Sequence, residues 1–119
     1  GSIEYAVLDL NVRVLVVMSH QGCGAVKAAY LKEQCFSASL TELVTDIKTG
    51  LTSHGISTDD LSSYDDACMR HATITASSLM ENSAPIREAV HNKALMIQPA
   101  FLHIDPLEIS WLPPLYGRG

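Results

Sequence analysis

Three cysteines in 119 residues are too few for a disulfide framework, and the odd count fits a reducing compartment better than a secreted one. Basic residues are also scarce. Eight Lys and Arg stand against thirteen Asp and Glu, for a formal net charge of −5, and they are scattered along the chain. A phosphate-backbone partner needs a clustered basic face, so nucleic acid is excluded as a partner. A small anion is not, because one local site can override global charge. Long apolar runs are missing too. The longest, residues 14–18, is far short of the ~20 residues that cross a bilayer. No cationic and apolar leader precedes the first element. These absences predict a chain of the cytoplasm or an organellar matrix, away from membranes. There is no internal repeat and no low-complexity segment. What is present is 47% apolar residues, enough for one folded domain.

Periodicity predicts the elements. In residues 2–10, Ile3, Ala6, Val7 and Leu10 recur at helical spacing, with Ser2 as N-cap and Asn11 as the end. Residues 12–18 predict a strand whose near-continuous apolar character suits one covered on both faces. Residues 19–24 predict a turn, and residues 25–34, rich in Ala, Lys, Leu and Glu, a helix. Ser39-Leu40-Thr41-Glu42 is a capping box. It opens a helix whose apolar face is Leu40, Leu43, Val44 and Ile47, and Gly50 is placed to stop it. Residues 51–60 read as a polar connection. Residues 60–81 read as a longer helix with Cys68, Ala72, Ala76 and Leu79 on one face, weakened by Thr73, Ile74 and Thr75. Pro85 suits the first turn of a short helix over 86–91. Residues 94–104 predict a strand with Pro99 in its middle, which implies an edge or a bulge. After the Asp105-Pro106 turn, residues 108–112 predict a short return strand ended by Pro113-Pro114.

This order predicts an α/β fold: a partial parallel sheet with right-handed crossover helices and a short antiparallel last strand. The strand count raises a difficulty. Strand 12–18 has the composition of a sheet centre, and strand 94–104 covers only one side of it. A bare apolar edge is an aggregation template. A further strand is therefore expected, from this protein or from another chain.

The chemistry concentrates in His20-Gln21-Gly22-Cys23. An imidazole and a thiol end a strand just ahead of a helix, where open α/β sheets bind ligands. Backbone amides there, Gly24's first, attract an anion and favour a thiolate, and zinc would favour it further. His20 and Cys23 are thus metal-ligand candidates, and the Gly24 amide is an anion- or substrate-binding candidate. The H-x-x-C spacing alone also suits a packed His and Cys, and zinc takes at least three protein ligands. Gly22-Cys23-Gly24 lacks the third glycine of a dinucleotide loop, with Lys27 in its place. Cys35 would sit about 15 Å from Cys23 at ~1.5 Å per residue of intervening helix. Cys68 and His71 form a second pair one helical turn apart that can share a metal, though nothing obvious delivers it to His20. Cys35 and Cys68 otherwise read as small buried hydrophobes. His54, His91 and His103 read as surface or loop residues, and Glu4, Asp9 and Asp46 as solvated helix faces. Met69, Met80 and Met96 read as core, and Trp111 and Tyr116 as packing for the tail or a subunit contact.

"SIEYAV", an apolar strand and "SHQGCGAVKAA" together resemble the second half of a β-class carbonic anhydrase. "SAPIREAV", "ALMIQPAFLHI" and "EISWL" extend the resemblance over about residues 1–114, most specifically near residues 2–29. Pro99 stands where the family favours glycine, and His71 near where it favours asparagine. The resemblance implies reversible hydration of carbon dioxide to bicarbonate, with a zinc-acidified water as nucleophile. It also implies a homodimer or higher oligomer. That zinc is held by two cysteines and one histidine, of which His20 and Cys23 match the second and third. The first belongs to an upstream Cys-x-Asp-x-Arg segment, whose Asp–Arg pair manages the proton. No C-x-D-x-R occurs in this sequence. The expectation is therefore one truncated domain over residues 1–119 without the family's first two strands. No catalytic residue is then assignable, and one Zn2+ is incompletely liganded by this chain. Two other readings stay open: hydrolysis of carbonyl sulfide or carbon disulfide on the same zinc site, and a non-catalytic dimerisation or binding module.

Overall fold

A computed structural model describes residues 1–31 and 37–116. The elements run α1 (Ser2–Leu8), β1 (Val14–His20), α2 (Gly24–Ala28), α3 (Ala38–Ser53), α4 (Tyr64–Asn82), α5 (Ala84–His91), β2 (Met96–His103) and β3 (Glu108–Trp111), with a 3₁₀ turn at Leu61–Ser63 leading into α4. β1 pairs with β2 in parallel, Val14 opposite Met96 and His20 opposite Leu102. β2 pairs with β3 antiparallel, Ala100 opposite Trp111. The order β1-β2-β3 leaves β1 at one edge of the sheet, as the strand count predicts. No described helix is long and apolar enough to cross a membrane.

All of α2 to α5 lie in the connection between β1 and β2, and α4 packs on both strands. One buried cluster, around Val26, Leu51, Cys68 and Phe101, lies beneath the turn that follows β1. A second, around Val7, Ile86, Val90, Leu95 and Ile97, lies beneath the other end of the strands. Both are on one side of the sheet. Along β1, Leu15 and Val17 reach the second cluster and Ser19 is buried, whereas Val14, Val16 and Met18 stay about half exposed. The strand is covered on one face, not two. A single crossover of fixed hand delivers all its helices to one side.

Several local expectations shift. The first N-cap is Gly1, because Ser2 already has helical geometry. The helix stops at Leu8 with Asp9 as its C-cap, three residues short of Asn11; Asn11 takes a left-handed backbone (φ 55) in the turn beyond, where the Val12 amide returns to the Ala6 carbonyl at 3.1 Å. β1 runs on through Ser19 and His20, so the turn is shorter than residues 19–24. α2 stops at Ala28 rather than at residue 34. Its last amides close on carbonyls three residues back, Tyr30 N–H to Lys27 at 3.0 Å, and Tyr30 turns into the core. The cap of α3 is Ser37, whose Oγ accepts from the Leu40 amide at 3.2 Å. Leu40 and Leu43 are exposed, while Ile47 and Leu51 carry the buried face. Gly50 lies inside α3 instead of ending it. A Cβ there would meet Ile74 Cγ2 at 3.0 Å, so glycine lets α3 approach α4. The 51–60 segment buries Leu51, Ile56 and Thr58 and is no polar connection. Pro85 sits in the first turn of α5 as expected, and Ser83 caps that helix, its Oγ accepting from the Ile86 amide.

Pro99 is the instructive case. It sits fully buried in the central strand, not at an edge. β2 bonds β1 through Met96 and Leu102, on the opposite register from Pro99. Pro99's missing amide therefore faces β3. There its carbonyl accepts from the Leu112 amide at 3.0 Å. The Leu112 carbonyl, which an amide at 99 would have served, accepts Gln98 Nε2 at 2.6 Å instead. The opposing chain slips by one residue just beyond, where Ile97 pairs with Leu115. The irregularity is thus on the partner strand, and a neighbouring side chain replaces the lost donor.

Candidate metal centre

His20 is the last residue of β1 and projects into solvent; Cys23, three residues on, is 8% exposed and faces the core. The chain makes this turn through Gly22, whose φ of 70 is a conformation that a Cβ disfavours. Gln21 ties the turn to β2 twice: its amide donates to the Leu102 carbonyl at 2.9 Å, and its Oε1 accepts from the Ile104 amide at 3.0 Å. Gly24 opens α2 directly after Cys23. With only five residues, α2 has a shorter dipole than a helix to residue 34 would have.

The start of α4 supports the turn from beneath. The Tyr64 hydroxyl donates to the Cys23 carbonyl at 2.6 Å. Its ring meets Tyr30 edge-on, centroids 5.9 Å apart. The Tyr30 hydroxyl reaches Ser63 Oγ at 2.7 Å, and Ser63 Oγ donates in turn to the Ser57 and Asp60 carbonyls, each at 2.9 Å. Burial, then the neighbouring Cys68 and Cys23 thiols, push the Tyr64 phenol up to about 12, so it stays a donor at ordinary pH. Higher on α4, Ser19 Oγ touches the Met69 carbonyl at 3.5 Å. His71 is half-buried, and burial first, then the charge of His20, hold its pKa below the ordinary value.

The residues at the turn fit a soft divalent metal in part. His20 Nδ1 lies 3.0 Å from the Gln21 carbonyl. A carbonyl only accepts, so Nδ1 carries the proton and the Nε2 lone pair is left free, as in histidines that bind metal. Cys23 is a free cysteine. Imidazole nitrogen and thiolate sulfur are the donors zinc takes. Yet no group of three or more His, Cys, Asp or Glu residues placed to hold a metal exists among the described residues. On α4, Cys68 packs in the buried cluster that also holds Cys23, while His71 lines a pocket with Leu43, Ile47 and Gly50 of α3. They do not close a site with His20 and Cys23.

The remaining candidates separate. Cys68 is buried as expected, and Cys35 lies outside the described residues. His54 caps α3, with Nδ1 on the Gly50 carbonyl at 2.9 Å, and His91 is exposed at the end of α5. His103 belongs to β2, not to a loop, bonded to Ser110 Oγ at 2.8 Å and edge-on to Phe101. Glu4 is half-buried and accepts a hydrogen bond from Ser83, so it ties α1 to α5 rather than facing solvent. Asp9 and Asp46 are solvated. Met80 packs on the core, but Met69, Trp111 and Tyr116 are exposed. Sequence reasoning passed over Tyr64. Its one signal is the i, i+4 spacing to Cys68 on a helix face already assigned to the core.

Comparison with known proteins agrees with this geometry. The profile of the family described as carbonic anhydrase matches residues 1–108. Carbonic anhydrase 2 of Mycobacterium tuberculosis is 34% identical over 107 residues, 88% of this chain and 51% of the relative. A tetrameric β-carbonic anhydrase of the ascomycete Sordaria macrospora superposes with a TM-score of 0.67 at 26% identity, over 92% of this chain and 57% of that one. The β-carbonic anhydrase of Coccomyxa, solved with acetazolamide, superposes at 0.68 and 20% identity, over 97% of this chain and 54% of that one. The chain spans about half the length of the curated relatives it matches. A parallel β1–β2 pair ending in His20, the Cys23 turn, and a match over nearly the whole chain lead to one conclusion: this chain belongs to the β-class carbonic anhydrase family.

Proposed function

We propose that His20 and Cys23 are two of the protein ligands of a zinc centre for the reversible hydration of carbon dioxide to bicarbonate. We propose further that the remaining ligand arrives on a strand laid along the outer edge of β1. The observation that carries this reading is the coincidence of two incomplete features at one place. The donor pair has only two members among the described residues, and the strand that ends in it is an unpaired edge. β1 bonds β2 through alternate residues, from the Arg13 carbonyl to the Gln21 amide. The backbone groups of Val14, Val16, Met18 and His20 therefore point outward, and a paired strand would end beside His20. The chemistry zinc supplies there is acidification of a water and polarisation of an oxygen. The chain's own part is to present Nε2 of His20 and the Cys23 thiol at fixed positions, with the Gly24 amide beside them for an anionic product.

Zinc stoichiometry and carbon dioxide hydration, measured on the purified chain and on His20→Ala and Cys23→Ala, test the reading. Weak zinc binding that either substitution abolishes is expected. One tightly held zinc per chain with fast turnover would overturn the claim that a ligand comes from an added strand. The bare edge of β1 also favours a second reading, a module that pairs with a partner and catalyses nothing. Complete absence of zinc binding, with oligomeric state unchanged in both variants, would decide for it. Carbonyl sulfide or carbon disulfide as competing substrate in the same turnover assay tests the choice of gas.

A further inference from the structure

We propose that Tyr64 is a positioning residue for the Cys23 thiol, a clamp from α4 that lies outside the H-x-x-C motif; this rests on the reading of Cys23 as a metal ligand. The turn needs such a clamp. On the His20 side, Gln21 anchors it to β2 through two hydrogen bonds. On the Cys23 side the chain has just passed Gly22, where nothing lies within 4 Å of the position a Cβ would take. Gly22 itself contributes no side chain to hold the peptide, so the Cys23 side chain's packing in the core is all that fixes it from that direction. The Cys23 carbonyl is instead held from two directions. It accepts from the Lys27 amide at 3.0 Å, the first bond of α2, and from the Tyr64 hydroxyl at 2.6 Å. Both acceptor lone pairs are used. Together the two bonds fix ψ of Cys23 at 117 and so the relation between the cysteine's Cα–Cβ bond and α2.

Tyr64 is itself restrained. Its ring sits edge-on against Tyr30, whose hydroxyl is held by Ser63. Ser63 is the residue before α4 and is bonded to the Ser57 and Asp60 carbonyls. A loop 40 residues downstream in sequence thereby sets the donor geometry at the turn. A preorganised ligand binds its metal without first ordering the backbone.

Cobalt(II) titration of the full chain, followed by the thiolate-to-cobalt charge-transfer band, tests this. Tyr64→Phe keeps the ring and its edge-on contact and removes only the donor. The expected result is about tenfold weaker cobalt binding, the equivalent of one hydrogen bond, with a shifted band and little change in the urea midpoint. If Tyr64→Phe does not fold, Tyr64→Met fills the space without a donor and is expected to show the same loss. An unchanged band and affinity in a folded variant would overturn the inference alone. A wild-type chain with no band that Cys23→Ser removes would overturn the metal reading, and the inference with it.

Discussion

The two faces of the sheet carry similar side chains and meet different surroundings. On one, Ile97, Pro99 and Phe101 of β2 are buried beneath the helices. On the other, Val14, Val16 and Met18 of β1 are 49%, 46% and 45% exposed. Apolar content alone does not distinguish them. Strand alternation assigns each residue to a face, and the single crossover assigns every connecting helix to the same face. Along β1 that side is left with aliphatic side chains that a parallel sheet ordinarily covers, while Ala100 of β2, opposite Met18, is buried. The comparison also separates the two sides of the turn after β1: Tyr64 and Gln21 satisfy its backbone, while beside it the edge of β1 has no partner strand among the described residues.

Truncation on the covered face should break this contrast most. Ile97 is fully buried in the second cluster, and Ile97→Ala is expected to cost about 3 kcal/mol in urea unfolding, the usual price of a core cavity. Gln98 comes next. It stands in for the amide that Pro99 lacks, and Gln98→Leu leaves the Leu112 carbonyl without that donor. A loss of about 1–2 kcal/mol is expected by the same measurement. His71 gives a smaller, pH-dependent effect. Its pKa is lowered in the folded chain, chiefly by burial and then by His20. Folding therefore favours the neutral ring, and that contribution is complete above the ordinary value of 6.5 and lost as pH falls through the lowered pKa. His71→Gln should flatten the fall in stability below pH 6.5, seen as urea midpoints at stepped pH. On the bare face, Val16→Thr keeps β-branching on a half-exposed site. It should change stability by less than about 0.5 kcal/mol while weakening any association through that face, read by sedimentation. A destabilisation as large as that of Ile97→Ala would mean that the two faces are not different.

The placement of His20 and Cys23 at one turn was legible because its information is local. His20 and Cys23 are three residues apart, Gly22 between them permits the turn, and an apolar run announces the strand. The unpaired edge of β1 was legible as well, from counting strands, whereas its apolar run wrongly suggested cover on both faces. Tyr64 was not, because its contact with Cys23 spans 41 residues and nothing in its neighbourhood marks a hydroxyl that will meet a carbonyl. Pro99 implied an edge or a bulge, and the sequence could not choose between them for a related reason. The rule concerns a lost donor, and only the register shows that the loss faces β3, where Gln98 compensates. Ser39, read as the N-cap that Ser37 supplies, and Gly50 were misassigned by local signals, a capping box two residues late and a glycine at a plausible stop.

The sequence by itself determined the order and type of the elements and the placement of His20 and Cys23 at the end of β1. These depend on periodicity, turn chemistry and spacings of a few residues. Tertiary structure alone decided which face of β1 is covered, that Pro99 could be central, and that α4 would hold Cys23 from beneath. Each of these depends on a hydrogen bond or a packing contact between segments far apart in the chain, and such a contact leaves no period in the sequence to read.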